Sequence, residues 1–208
     1  MNAKNNKIKF KHKSTLFEVS SYNLFKRNEA EVIFNKALKL YEDNQIEKAL
    51  TVFQESLKIS QDIGYFYNVA DCQYNIGMVY NLLKKYSSSL NYLKQALKAA
   101  RKSKHYFIVL KSLREIGDIY VCISKYDLAE KAYNDSLEIA NNNQSLSNEK
   151  PDLFNRLGRL FYELGQPIKA EKYYFQQLNI AKYTDNRKLE SNALLTAYFI
   201  FMRYNNSN

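Results

Sequence analysis

Hydrophobic and polar positions follow the period of amphipathic helices along most of the chain. Apolar residues recur at spacings of three and four, and short polar or turn-prone breaks interrupt them. Four of these breaks are residues 42–45, 84–85, 124–125 and 165–166. The pattern predicts antiparallel pairs of helices, each pair joined by a short turn. Pro167 follows the last break and suits the first turn of a helix, where its missing N–H has no helical partner.

Three of the five glycines mark a repeat within this pattern. Gly77, Gly117 and Gly158 lie 40 and 41 residues apart, an interval typical of repeat architectures. Each glycine follows an aliphatic residue and precedes an aromatic one by three positions. A small residue, a bulky residue and a leucine then follow at fixed intervals. They are Ser89, Leu93 and Leu97, then Ala129, Tyr133 and Leu137, then Ala170, Tyr174 and Leu178.

An earlier segment, residues 34–57, fits the same frame. Ala37 occupies the glycine position and Ala49 the small position. We interpret the small residues as the points where the two helices of a pair cross, because helix axes approach closely only where no large side chain separates them. The neighbouring bulky residues would fill the flanking groove. The sequence therefore predicts four helix pairs.

The four segments together resemble the tetratricopeptide repeat, over roughly residues 30–183. The usual period of that family is 34 residues, so we expect longer helices and longer links, such as residues 140–148, to hold the extra residues. No tryptophan is present, so the resemblance depends on the small and aromatic positions. It implies an all-α, right-handed α-solenoid with repeats at about 30–63, 70–103, 110–143 and 151–184.

The segments that flank the repeats have separate predictions. Residues 187–204 are apolar on much of their circumference and are predicted to form a C-terminal capping helix, because a repeat array must cover its terminal hydrophobic face. The apolar stretch from Leu194 to Met202 is a candidate homodimer contact. Residues 1–27 are predicted to be a basic N-terminal tail, disordered over 1–13 and with a short helix over 14–27.

Length and composition limit the class of protein. The chain has 208 residues, 46% of them hydrophobic and 25% charged, as expected of one soluble globular domain. There is no run of 18 apolar residues, and the first thirty residues lack the apolar core of a signal peptide. We therefore expect neither a membrane span nor a secretion signal, and the cytoplasm is the expected compartment.

The residues that could carry chemistry are few. Two cysteines and two histidines are too few for a disulfide framework or a multi-cysteine zinc site. We expect His12 to lie in the tail, His105 to be a solvated linker residue, and Cys72 and Cys122 to pack in the core. No phosphate-binding glycine loop, nucleophile elbow or zinc-protease motif is present. The sequence therefore favours a non-enzymatic protein without a cofactor or metal.

Charge is distributed unevenly along the chain. The formal net charge is +10, and half of it lies in residues 1–30. Residues 72–114 include nine basic residues and no acidic one. Lys94, Lys98 and Lys102 recur every four residues on one stripe of a predicted helix, with Arg101 beside them. The stripe could bind an acidic partner or be a solvated outer face. Nucleic acid is the least favoured ligand, because no base-reading motif is present.

The resemblance also implies a binding surface. In this family the first helix of each repeat lines a concave groove, and its exposed positions contact a peptide or a helix of the partner. Carried onto this sequence, these positions are Glu31, Phe34, Leu38, Tyr41, Asp71, Tyr74, Asn75, Met78, Asn81, Lys111, Arg114, Asp118, Val121, Asp152, Asn155, Arg156, Arg159 and Tyr162. They combine aromatic side chains with fixed charges, as a specific protein-binding surface does.

These observations predict an adaptor that holds a peptide or partner helix in its concave groove. Two alternatives stay open: a basic scaffold subunit that binds an acidic surface, and a receptor for signalling peptides like the bacterial ones with lengthened repeats. For the groove we expect Arg114→Glu or Arg159→Glu to weaken partner binding without unfolding the protein.

Overall fold

The computed structural model describes residues 2–184, 187 and 194, and their side chains from residue 20 onward. The described residues form eight α helices, one short 3-10 helix and no strand. The α helices are α1 (Asn2–Glu42), α2 (Ile46–Asp62), α3 (Phe66–Leu82), α4 (Tyr86–Ser103), α5 (Tyr106–Cys122), α6 (Tyr126–Asn142), α7 (Lys150–Glu163) and α8 (Pro167–Tyr183). The 3-10 helix, Gln144–Glu149, precedes α7. The predicted all-α class is confirmed.

The helices form two compact units. The first contains α1 to α4 and ends at His105, and the second begins at Tyr106 with α5. In each unit, every odd-numbered helix packs most extensively against the helix that follows it. The four predicted helix pairs are therefore present, two in each unit.

Small residues lie where the paired helices cross. A Cβ atom added at Gly117 would lie 2.5 Å from Cε1 of Tyr133, and one added at Gly77 would lie 2.9 Å from Cγ of Leu93. Both distances are too short for an unstrained contact, so glycine allows the facing side chain to reach the helix backbone. Ser89 uses the same close approach, because its hydroxyl donates a hydrogen bond to the carbonyl oxygen of Gly77 at 2.7 Å. The predicted role of the small residues is confirmed.

Six turns between consecutive helices share one backbone conformation. At the turn after α3, the N–H groups of Lys84 and Lys85 donate to the carbonyls of Asn81 and Tyr80. Lys84 has a φ of 57°, so this turn is a Schellman motif with its left-handed residue at Lys84. Equivalent bonds close the other five turns, whose left-handed residues are Asn44, Gly64, Lys104, Ser124 and Gly165. The breaks predicted from the sequence lie at these turns.

The extra residues of each repeat lie mainly in the helices. Residues 63–65 and 104–105 are the whole of two links between pairs, and α4 alone is 18 residues long. A longer link is found only where one was predicted near residues 140–148; there α6 ends at Asn142 and the 3-10 helix follows. Two predicted repeat starts, residues 70 and 110, fall four residues inside α3 and α5. The repeat bounds predicted from the glycine positions therefore begin one helical turn too late in α3 and α5.

The N-terminal segment differs from its prediction. Residues 2–27 belong to α1, a continuous helix of 41 residues, and are not a tail that precedes a separate short helix. Residues 1–42 contain neither glycine nor proline, so nothing in their sequence interrupts the helix. The predicted capping helix, 187–204, and the candidate dimer contact from Leu194 to Met202 lie outside the described residues, apart from positions 187 and 194.

Candidate functional site

The second unit contains a cavity of about 250 Å³. Side chains of α5, α6 and α7 line it, so each of its walls comes from a different helix. The lining residues are Asp118, Val121, Cys122, Tyr133, Arg156, Arg159, Leu160 and Glu163. Because α5 and α7 are first helices of repeats, the cavity lies on the face that the sequence predicts to bind a partner.

Asp118 is the centre of a hydrogen-bonded charge network beside this cavity. The Tyr133 hydroxyl donates to Oδ1 of Asp118 at 2.6 Å, and the Arg156 guanidinium donates to Oδ2. Nε of Arg156 also donates to Oδ2 of Asp152 at 2.9 Å. These bonds fix the orientation of the Asp118 carboxylate and the Arg156 guanidinium.

The network also shifts two pKa values. Burial opposes the charge of Arg156, but the carboxylates of Asp118 and Asp152 outweigh burial and raise the pKa of its guanidinium. Burial, followed by the charge of Asp118 and its hydrogen bond, raises the pKa of the Tyr133 hydroxyl well above its usual range. The cavity wall therefore combines a fixed ion pair with a neutral phenol at neutral pH.

Arg114 is a structural residue of the same unit. Its guanidinium lies 3.2 Å from Glu149, 3.3 Å from Asp152 and 3.5 Å from Glu115, and its side chain is only 15% exposed. It therefore joins α5 to the 3-10 helix and to α7. Because Arg114→Glu would place a fourth carboxylate among three others, we now expect this substitution to destabilise the fold as well.

Glu115 is the carboxylate that faces Arg114 from the same helix, and it is buried. Burial, and then the negative charge of Asp118, raise the pKa of Glu115 despite the opposing effects of Arg114 and Arg156. This carboxyl is therefore harder to ionise in the folded protein than in the unfolded chain.

Four of the predicted groove residues of this unit line the cavity: Asp118, Val121, Arg156 and Arg159. Arg159 is exposed, and Glu163 is exposed one helical turn further along. The other predicted groove residues of this unit do not line the cavity; Asp152 is exposed, and the half-buried ones are Lys111, Arg114, Asn155 and Tyr162. Nζ of Lys111 lies 4.8 Å from the ring centroid of Phe107, and Tyr162 packs on the core beside Leu157.

The groove residues predicted in the first unit are Glu31, Phe34, Leu38 and Tyr41 on α1, and Asp71, Tyr74, Asn75, Met78 and Asn81 on α3. Tyr74 is only 6% exposed and is therefore unavailable as an aromatic anchor. The side chain of Asn75 is half-buried, and its Nδ2 donates to the carbonyl of Asp71 at 2.8 Å within the same helix. Met78 and Asn81 are half-buried. The first unit thus shows less of the predicted surface than the second.

His105 is not the solvated linker residue that the sequence predicts. It is only 8% exposed, and its Nε2 lies 3.1 Å from Oδ1 of Asp71. Its ring stacks on Tyr67 with centroids 3.8 Å apart and planes 9° from parallel. The short turn after α4 places the imidazole against α3, which sequence spacing alone does not reveal.

The two cysteines have different environments. Cys72 is fully buried, as predicted, and burial raises the pKa of its thiol to about 12. The prediction that Cys122 packs in the core is wrong, because Cys122 is exposed. It is the last residue of α5, and there the thiol lines the cavity.

Four of the cavity residues were not among the predicted groove positions: Cys122, Tyr133, Leu160 and Glu163. Tyr133 was assigned to packing alone, although its hydroxyl also reaches Asp118. Helical spacing offered a signal for the other two residues of α7, because Leu160 follows Arg156 by four positions and Glu163 follows Arg159 by four.

Over the part of the chain that the structure describes, no three His, Cys, Asp or Glu side chains are grouped to hold a metal ion. No helix within those same residues is long and apolar enough to cross a membrane.

The sequence pattern of the tetratricopeptide repeat matches residues 29–102 and 74–142, which together are more than half of the chain. The chain therefore belongs to the tetratricopeptide repeat family, whose repeats serve protein–protein interaction. No curated protein matches the sequence.

Solved structures share the fold. Aspartyl phosphate phosphatase F from Bacillus subtilis is 16% identical, with a TM-score of 0.74 over 81% of this chain and 44% of its own. The Rap conjugation gene regulator of the plasmid pLS20, in complex with the Phr* peptide, is 14% identical, with a TM-score of 0.68 over 84% and 47%. A putative kinesin light chain of Podosopora anserina with TPR-like repeats is 15% identical, with a TM-score of 0.65 over 85% and 89%. The chain thus spans about half the length of the phosphatase and of the pLS20 regulator, and all three likenesses concern the fold alone.

Proposed function

We propose that this protein is a non-enzymatic interaction module that holds a peptide or partner helix against α5 and α7 of its second unit. The observation that carries the proposal is the cavity of about 250 Å³, which these two helices line together with Tyr133. Protein interaction is the general role of the family, and the cavity offers a shaped surface for it.

The composition of the cavity suits a peptide. Val121 and Leu160 supply apolar surface, while Arg159 and Glu163 offer exposed charges of opposite sign. The ion pair of Asp118 with Arg156 is already formed, so a ligand need not order it. Preorganised polar groups around a small apolar surface favour affinity, because less conformational entropy is lost on binding.

The comparison with the pLS20 regulator supports a peptide as the class of ligand, because that protein was solved with one. We carry over neither that regulator's peptide nor the phosphatase activity named for the Bacillus subtilis protein. In this chain the polar groups of the cavity are mainly engaged with one another, as Tyr133 and Arg156 are with Asp118. We further propose that the protein acts in the cytoplasm.

The experiment compares Arg159→Glu with Lys172→Glu, which makes the same charge change at an exposed position of α8 outside the cavity. Partners are captured from lysate of the source cells, identified by mass spectrometry, and then titrated as purified proteins against each variant. We expect Arg159→Glu to weaken binding by at least about tenfold, while Lys172→Glu binds like the unmodified protein. Equal binding by both variants, with helix content unchanged in circular dichroism, would contradict the proposal.

A further inference from the structure

A basic stripe on α4 carries positive charge without any acidic residue on the same helix. We define it as Lys94, Lys98, Arg101 and Lys102, all of which are exposed. Nζ of Lys102 lies 3.6 Å from the ring centroid of Phe66. Among the described residues, no carboxylate forms an ion pair with Lys94, Lys98 or Arg101.

The other second helices of the repeats show that this imbalance is particular to α4. All four are amphipathic, yet α2 carries three carboxylates, α6 four and α8 one, whereas α4 carries none. A basic outer face is thus not a general property of these repeats in this chain.

Helix stability explains only part of the stripe. Arg101 and Lys102 lie in the last turn of α4, where a positive charge stabilises the helix dipole. Lys94 and Lys98 lie further from the C-terminus, and like charges four residues apart destabilise a helix by about 0.2–0.5 kcal/mol per pair. The two central lysines therefore cost stability in the isolated protein and require another explanation.

We propose that the basic stripe binds an acidic segment of another protein, one that presents carboxylates along one face of a helix. Residues four apart in a helix are displaced by about 6 Å along its axis, so the stripe from Lys94 to Lys102 extends about 12 Å. A partner helix with Glu or Asp at every fourth position repeats the same spacing. Charge complementarity of this kind contributes mainly to partner choice and association rate.

The stripe belongs to the first unit and the cavity to the second, so the proposal is independent of the proposed function. Lysine predominates in the stripe, and its ammonium group is a point charge that can pair with a carboxylate without a fixed bidentate geometry. No base-reading motif accompanies the stripe in the sequence. These features favour an acidic protein segment over nucleic acid.

The probe is a fluorescently labelled synthetic helical peptide with glutamate at three positions spaced by four, measured by fluorescence anisotropy. A peptide of the same composition, with its glutamates on different faces, is the control ligand. The test variant is Lys94→Glu/Lys98→Glu. The control variant, Lys131→Glu/Lys172→Glu, makes the same change in net charge at exposed positions of α6 and α8.

We expect the unmodified protein to prefer the one-faced peptide and to lose about tenfold in affinity between about 50 and 200 mM salt. Lys94→Glu/Lys98→Glu should lose about tenfold or more, while the control variant and Arg159→Glu should bind as the unmodified protein does. An equal loss in the control variant, or equal binding of both peptides, would overturn the proposal by showing that net charge alone acts. Tighter binding to duplex DNA or to anionic vesicles would overturn the choice of an acidic protein segment. The circular dichroism of each variant should match that of the unmodified protein, which excludes unfolding as the cause of a loss in affinity.

Discussion

Nε2 of His105 lies 3.1 Å from Oδ1 of Asp71, although 34 positions separate the two residues in the sequence. His105 is also the residue that closes the turn after α4, because its N–H donates to the carbonyl of Ala100 at 2.8 Å. Its main chain therefore ends one helix while its side chain contacts another, with Tyr67 stacked on the ring. One residue thus connects the end of α4 to the first turns of α3.

Replacing His105 should therefore destabilise the protein. We expect His105→Ala to lower the free energy of unfolding by about 1–3 kcal/mol, because it removes a partly buried hydrogen bond and a stacking contact. In a double-mutant cycle with Asp71→Ala, measured by urea denaturation, the coupling energy should be about 0.5–3 kcal/mol. Lys104→Ala, at the exposed neighbouring position, is the control. Purely additive losses would show that the His105–Asp71 contact contributes nothing.

The helix crossing at Gly117 leads to a second prediction. Alanine favours a helix over glycine by about 1 kcal/mol, but here its Cβ would meet the Tyr133 ring at 2.5 Å. That ring cannot move freely, because its hydroxyl is bonded to Asp118. We therefore expect Gly117→Ala to destabilise the protein by a net of about 1–3 kcal/mol in thermal or urea denaturation. In a Tyr133→Ala background the same substitution should become neutral or stabilising. A loss of stability that persists in this background would show that the strain does not come from the Tyr133 ring.

The helix pairs could be predicted from the sequence because their signals are local. The glycines at 40-residue intervals, the small residues twelve positions later and the polar breaks together define the crossings and the turns. What could not be predicted depends on contacts between distant residues. Arg114 pairs with Glu149 and Asp152, 35 and 38 residues further along, and sequence spacing gives no sign of these ion pairs.

The environments of His105 and Cys122 escaped prediction for a related reason. Both residues lie at helix boundaries, where a shift of one or two positions decides whether a side chain faces the core or solvent. His105 was expected in solvent and is buried, whereas Cys122 was expected in the core and is exposed. Hydrophobic periodicity predicts which side chains are buried in the middle of a helix, but not at its ends.

The two thiols should differ in reactivity. Burial raises the pKa of Cys72 to about 12, so at pH 8 it is both protonated and shielded, whereas Cys122 is accessible. We expect a thiol reagent such as dithionitrobenzoate to modify one group per folded chain and two after denaturation. Cys122→Ser should show no rapid reaction, and Cys72→Ser should react like the unmodified protein. Rapid modification of Cys72 in the folded protein would show that the first unit opens readily.

The buried carboxyl of Glu115 makes stability depend on pH. Because its pKa is raised in the folded protein, the protonated form favours folding, and ionisation as the pH rises opposes it. Glutamine cannot ionise but keeps an oxygen that can accept a hydrogen bond from Arg114. We therefore expect the unmodified protein to lose stability relative to Glu115→Gln as the pH rises from about 4 to 7.

Urea denaturation at several pH values measures this difference, with Glu138→Gln at an exposed position of α6 as the baseline. A difference between Glu115→Gln and the unmodified protein that stays constant with pH would show that the ion pair with Arg114 fully offsets the burial of Glu115.

The six turns that share one hydrogen-bonding pattern have a consequence for how this chain can vary. Each turn is closed by main-chain atoms, so the side chain of its left-handed residue contributes nothing to the closure. Only Gly64 and Gly165 use the residue best suited to this conformation, while Lys84 and Lys104 accept a backbone penalty of about 1 kcal/mol. Lys84 and Lys104 place a positive charge at each end of α4. The six turns are thus sites where a substitution can change the surface charge while the backbone conformation stays the same.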